Sequence, residues 1–152
     1  FDVALVVADG LSATAVNAHG ATVATGILAA LPDDWRIAPV VIASGARVAL
    51  SDPIGTALRA KIVLMLIGER PGLSAANSLG AYLTFGPGPG RSDADRNCVS
   101  NIRPGGLRPE IAGAKLAGLV VRAAELGLSG TRLKDDADDR IAEGEARPQL
   151  PG

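Results

Sequence analysis

The chain has 152 residues and a formal net charge of −1, with 47% hydrophobic and 20% charged residues. A chain this apolar can bury a core of its own, which excludes intrinsic disorder, and its length is typical of one domain. The absence of a basic block argues against electrostatic binding to nucleic acid, the single cysteine excludes an intrachain disulfide, and no apolar run is long enough to span a membrane.

The first predicted element is a strand, because residues 3–8 form a continuous apolar run of the kind that is buried on both faces of a parallel sheet. The following residues, 9–12, predict a turn in which Ser12 can cap a helix, and we expect that helix over residues 13–31. Because the sequence begins inside a core strand, we expect the chain to be a fragment of a longer protein.

Two more apolar runs, residues 37–43 and 61–67, predict the second and third strands. Between them we expect an extended segment at 47–50 and then a short helix that starts at Asp52-Pro53 and reaches residue 60, with Asp52 as its N-cap. The alternation of strands and helices predicts an α/β fold, namely a Rossmann-like, doubly wound, mostly parallel sheet flanked by helices.

The second half of the chain is less regular. A strand is predicted at residues 80–85, a short strand around Ile102, and an amphipathic helix over 109–126 that ends at Gly127. We expect residues 1–134 to form one domain and the acidic, then Pro- and Gly-rich, residues 135–152 to be a disordered tail.

The topology itself predicts a ligand site. Doubly wound sheets bind ligands beyond the carboxyl ends of their strands, where the strand order reverses. If the first and third strands are neighbours there, the loops at residues 9–12 and 68–72 converge, and their glycines let the backbone approach a ligand closely.

Two polar segments each allow two interpretations. In the loop at 68–72, Glu69 could accept hydrogen bonds from ligand amides and Arg70 could hold a phosphate or carboxylate, or the two could form a solvated ion pair. The polar run at 93–106 could recognise a ligand, or its Asn and Ser side chains could satisfy their own backbone.

No catalytic or metal-binding motif is apparent from the residues. Cys98 has no neighbouring histidine to activate it, and the single histidine, His19, falls in the middle of a predicted helix. The sequence has neither a Walker A motif nor a Gly-x-Gly-x-x-Gly motif after the first strand.

Several runs, in the same order and spacing, resemble the small (light) subunit of ethanolamine ammonia-lyase, from residue 1 to about residue 134. They are VVADGLS at 6–12, RVALSDPIG at 47–55, LIGERPGLS at 66–74 continuing as SLGAY at 78–82, and DRNCVSNIR at 95–103. The resemblance does not extend into the acidic segment from residue 135, and we expect the N-terminal region of the family's small subunit to lie outside this sequence.

The resemblance implies an adenosylcobalamin-dependent enzyme that converts ethanolamine to acetaldehyde and ammonia by a radical rearrangement. In this family the large subunit, a TIM-type barrel, holds the substrate, and the small subunit covers the cobalamin with a Rossmann-like domain. The family is bacterial and cytoplasmic, either free or inside an ethanolamine-utilisation microcompartment.

The same resemblance places the cobalamin contacts of this chain on Val48, Glu69 and Cys98. Val48 would pack on the corrin, Glu69 would accept hydrogen bonds from corrin amides, and Cys98 would be a small, polarizable contact. No catalytic residue and no cobalt ligand is expected in this chain. The alternatives are a stand-alone, doubly wound enzyme and an interaction domain without ligand binding.

Overall fold

The computed structural model describes residues 1–69 and 77–133. The strands are β1 (Val3–Ala8), β2 (Val41–Ala43), β3 (Ile62–Glu69), β4 (Ser78–Phe85) and β5 (Arg96–Ile102). The helices are α1 (Ala13–Ala15), which continues through a π-helical turn (Val16–Gly20) into α2 (Ala21–Ala30), then α3 (Ser51–Leu58) and α4 (Pro109–Leu126). Short 3-10 turns lie at Val48–Leu50 and Asp93–Asp95.

The strands form one five-stranded sheet in the order β2-β1-β3-β4-β5. β1 is parallel to both β2 and β3, whereas β4 is antiparallel to both β3 and β5. The α/β class is therefore confirmed, but the prediction of a mostly parallel sheet is wrong, because the sheet is mixed. The reason lies in chain length: residues 70–77 are too few for the crossover that a parallel pair requires, so β4 returns beside β3 in the opposite direction.

Helices cover both faces of the sheet. On one face, apolar side chains of α2 and α4 pack against Leu5, Leu64 and Leu83. On the other face, Ile54 and Leu58 of α3 pack against a second buried cluster that includes Val63 and Met65. β1 and β3 contribute to both clusters, which explains why their sequences are apolar without alternation.

Several local predictions are confirmed. Ser12 caps the first helix, since its Oγ accepts a hydrogen bond from the Ala15 backbone N–H at 3.2 Å. α4 begins at Pro109 and ends at Gly127, whose left-handed φ of 67° is readily adopted by glycine.

Other local predictions need correction. Residues 48–50 form a 3-10 turn where we expected an extended segment, and α3 starts at Ser51 with Leu50 as its N-cap, so Asp52 does not cap it. The second strand is shorter than residues 37–43, because Pro39 has no N–H to donate, and Ile37 forms only an isolated bridge to Val3. The predicted tail at 135–152 lies outside the described residues.

Within the described residues, none of the helices combines the length and apolar character needed to cross a membrane. The same part of the chain contains no group of three or more His, Cys, Asp or Glu side chains that could hold a metal ion.

Candidate functional site

The carboxyl ends of β1 and β3 meet at the point where the strand order reverses, since β2 lies on one side of β1 and β3 on the other. The loop after β1 is docked on the end of β3, where the Leu11 N–H donates to the Gly68 carbonyl oxygen at 2.9 Å. A Cβ at Gly68 would overlap the Ser12 carbonyl, and one at Gly10 would lie 2.6 Å from the Gly68 oxygen. The two loops therefore converge as predicted, as far as the structure describes them; residues 70–72 lie outside the described residues.

An open cleft of about 420 Å³ lies at this edge of the sheet. One wall is formed by the Gly10-Leu11 loop and another by Arg47 and Val48 at the turn that precedes α3. Side chains from β3, β4 and β5 complete the lining, among them Glu69 and Tyr82. Three antiparallel strands and two loops thus contribute to one surface.

The three residues expected to contact cobalamin come from separate segments and all line this cleft. Val48 is the first residue of the 3-10 turn, Glu69 is the last residue of β3, and Cys98 lies in β5. The structure therefore brings the three together. Their assignment to a cofactor stays a prediction.

Tyr82 is a residue of the cleft that sequence reasoning missed. Its Oη donates a hydrogen bond to Glu69 Oε1 at 2.7 Å, and it lies opposite Cys98 in the β4–β5 register. Partial burial is the largest cause, and the hydrogen bond to the Glu69 carboxylate the second, of a pKa for Tyr82 that lies far above its ordinary value. The phenol therefore remains protonated and can act as a donor. One signal was available: Tyr82 is the only tyrosine, and in β4 it alternates with apolar residues that face α4.

Cys98 is exposed to solvent in the cleft. Desolvation by the neighbouring cleft atoms is the main cause that raises the pKa of its thiol, and the charge of the nearby Glu69 carboxylate also raises it. A raised pKa keeps the sulfur as a neutral thiol near pH 7, which suits a packing contact and not an activated nucleophile.

Some side chains of the polar run around β5 bond to other elements of the fold, and others face the cleft. The Arg96 guanidinium donates to the Asp52 carboxylate at 2.6 Å, and the Asn97 amide both donates to and accepts from the Gly130 backbone, at 2.9 and 2.6 Å. These two side chains therefore stabilise the fold. Cys98 lies on the same strand and faces the cleft instead.

Taken together, the fold and the cleft define a mixed α/β domain with a surface pocket at the carboxyl edge of its parallel strands. Residues 1–134 match the family model described as "Ethanolamine ammonia-lyase light chain (EutC)". The chain belongs to this family of ethanolamine ammonia-lyase small subunits, which confirms the resemblance noted from the four sequence runs.

Curated relatives agree with this assignment. The "Ethanolamine ammonia-lyase small subunit" of Bradyrhizobium diazoefficiens is 54% identical over 139 residues, which cover 90% of this chain and 53% of that protein. The protein of the same name from Rhodopseudomonas palustris is 49% identical over 152 residues, covering 99% of this chain and 58% of the relative. That from Xanthomonas campestris is 51% identical over 138 residues, covering 90% and 51%. The chain thus spans about half the length of these curated relatives.

Proposed function

We propose that this chain is the cobalamin-binding domain of the small subunit of an adenosylcobalamin-dependent ethanolamine ammonia-lyase. The observation that carries the proposal is the convergence of Val48, Glu69 and Cys98, distant in sequence, on one cleft of a chain that belongs to this family. The complete enzyme would convert ethanolamine to acetaldehyde and ammonia, and this domain would hold one side of the cofactor.

The chemistry of the cleft suits a cobalamin. Val48 offers apolar surface to the flat corrin ring, and the Glu69 carboxylate is an acceptor for the N–H groups of the corrin amides. The absence of side chains at Gly10 and Gly68 lets the loop after β1 dock on the end of β3, which brings the two walls of the cleft together. When bound, the cofactor supplies a cobalt–carbon bond whose homolysis provides the radical for the rearrangement, and the protein contributes position and exclusion of water.

We place the substrate and the radical chemistry in the partner, the large subunit, and assign no catalytic residue to this chain. The expected complex is a hetero-oligomer in the bacterial cytoplasm, either free or within an ethanolamine-utilisation microcompartment. This chain without its partner is expected to show no lyase activity.

The test is a titration of the chain, assembled with the family's large subunit, with adenosylcobalamin, followed by the absorbance of the cofactor. We expect Glu69→Ala to weaken cobalamin binding by about 10- to 150-fold, because a hydrogen bond to a charged acceptor contributes about 1.5–3 kcal/mol. Glu125→Ala is the matched control: it removes the same charge from an exposed site on α4, where Glu125 pairs only with Arg122 at 3.3 Å within the described residues, and should leave the affinity unchanged.

Equal affinity of the Glu69→Ala and unaltered complexes would show that Glu69 does not contact the cofactor. Failure of the complex to bind any cobalamin at this chain would favour the interaction domain, and turnover of a substrate by the chain alone would favour the stand-alone enzyme.

A further inference from the structure

The carboxylate of Glu69 is held in one orientation by β4. Glu69 is opposite Ser78 in the β3–β4 register, and its side chain extends along β4 across Gly80 towards Tyr82. Its Oε1 accepts the hydrogen bond from the Tyr82 hydroxyl at 2.7 Å. Among the described residues, no other hydrogen bond to this carboxylate is found, and its second oxygen, Oε2, has no partner there.

Gly80 provides the space in which this carboxylate lies. A Cβ at position 80 would overlap Oε1 and would lie 2.9 Å from Oε2. The overlapping atoms are the far end of a flexible side chain and not backbone, so an alanine here would displace the carboxylate without displacing the strand. Gly80 and Tyr82 therefore act on the same group, one by leaving room for it and the other by binding it.

A carboxylate on a surface cleft has several rotamers of similar energy, and fixing one of them lowers the entropy that is lost when a ligand binds. A tyrosine is well suited to this task, because its ring is rigid and its hydroxyl donates a single, directional hydrogen bond. With Oε1 occupied by Tyr82, the remaining acceptor capacity of Glu69 can be directed at an N–H donor in the cleft.

We propose that Tyr82 is a positioning residue for the cofactor, which, together with the space left at Gly80, orients Glu69 so that its Oε2 accepts a hydrogen bond from a primary amide of the cobalamin. This inference rests on the proposed function and adds to it two residues that do not themselves need to touch the cofactor.

The experiment is a double-mutant cycle on adenosylcobalamin affinity, with the chain assembled with the large subunit. We expect Tyr82→Phe to weaken binding about fivefold, the cost of losing one oriented hydrogen bond of roughly 1 kcal/mol. In a Glu69→Ala background, the same substitution should have no further effect, because the group that it orients is gone. Gly80→Ala should weaken binding by a similar factor, whereas Gly118→Ala should not, because in the described part of the chain the added Cβ would meet no atom within 4 Å beyond the adjacent helix backbone.

The possible outcomes separate this inference from the proposed function. If Glu69→Ala has no effect on affinity, the contact between Glu69 and the cofactor is wrong and the inference fails with it. If Glu69→Ala weakens binding but Tyr82→Phe and Gly80→Ala do not, the positioning role alone is overturned. An effect of Tyr82→Phe that persists undiminished in the Glu69→Ala background would mean that Tyr82 acts directly, which also overturns it.

Discussion

Arg96 shows how a single residue joins distant parts of this chain. Its side chain is only 4% exposed, and its guanidinium donates to the Asp52 carboxylate at 2.6 Å and to Thr84 Oγ1 at 2.9 Å. The pair connects α3 to β4 and β5, on the face of the sheet that carries the cleft. Because the guanidinium of Arg96 is always charged, burying it costs free energy that the Asp52 carboxylate must offset.

We therefore predict that Asp52→Ala lowers the free energy of unfolding by about 3–5 kcal/mol, because it leaves a buried cation without its counter-ion. Asp93→Ala is a control with the same change in charge, since Asp93 is fully exposed and lies 4.0 Å from the Nε of the same arginine. Urea denaturation should show a loss of at most about 1 kcal/mol for the control. Similar losses for the two variants would contradict the structural role given to the buried pair.

At the scale of elements, the packing of α2 on α4 depends on two glycines. A Cβ at Gly113 would lie 2.6 Å from the Cα of Gly26 and 2.8 Å from the backbone nitrogen of Ile27, so the two helix backbones are in direct contact where they cross. Helices that approach so closely cannot accommodate a side chain between them. The low aromatic content of the chain is consistent with this packing of small residues.

We predict that Gly113→Ala lowers the free energy of unfolding by about 1–3 kcal/mol, despite the higher helix propensity of alanine, because the new methyl group meets backbone atoms that cannot move aside. Gly118→Ala, in the same helix, adds a Cβ that meets no described atom within 4 Å beyond the adjacent helix backbone, so it should raise the free energy of unfolding by up to about 1 kcal/mol. Thermal denaturation of the two variants would measure the difference. A stabilising Gly113→Ala would mean that the helices are farther apart than described.

At the scale of the whole molecule, the cleft exists because β3 pairs with β1, which brings together loops that are far apart in the sequence. Gly10 and Gly45 both adopt left-handed φ angles, of 54° and 64°. A Cβ at Gly10 would meet Ile67 and the Gly68 carbonyl oxygen, whereas one at Gly45 would meet none of the described atoms within 4 Å beyond its chain neighbours.

This contrast predicts different costs for the same substitution. Gly45→Ala should lower the free energy of unfolding by about 1 kcal/mol, from backbone conformation alone. Gly10→Ala should lower the free energy of unfolding by about 1–3 kcal/mol more than Gly45→Ala does, because the loop must move away from the end of β3. Equal losses, measured by urea denaturation, would show that the docking of the two loops contributes little to stability.

Much of this architecture was apparent from local patterns. The apolar runs of β1 and β3, the Ser12 cap and the proline and glycine that bound α4 are determined by neighbours in the chain, so periodicity and capping rules find them. The family resemblance predicted Val48, Glu69 and Cys98 as ligand contacts, and all three line the cleft. The antiparallel return of β4 was missed because the predicted strands, ending at 67 and starting at 80, left about a dozen residues for a crossover, whereas the observed strands leave only residues 70–77.

The sequence alone was sufficient for the α/β class, the family and the choice of loops at the carboxyl edge, because each of these depends on residue type and order. Tertiary structure was needed to show that Asp52 pairs with Arg96 and does not cap α3, and that Tyr82 binds the carboxylate of Glu69 in the space left at Gly80. These contacts join residues from different elements, and they form only when the sheet fixes the distances between its strands. The order of the strands, more than any single motif, therefore creates the cleft.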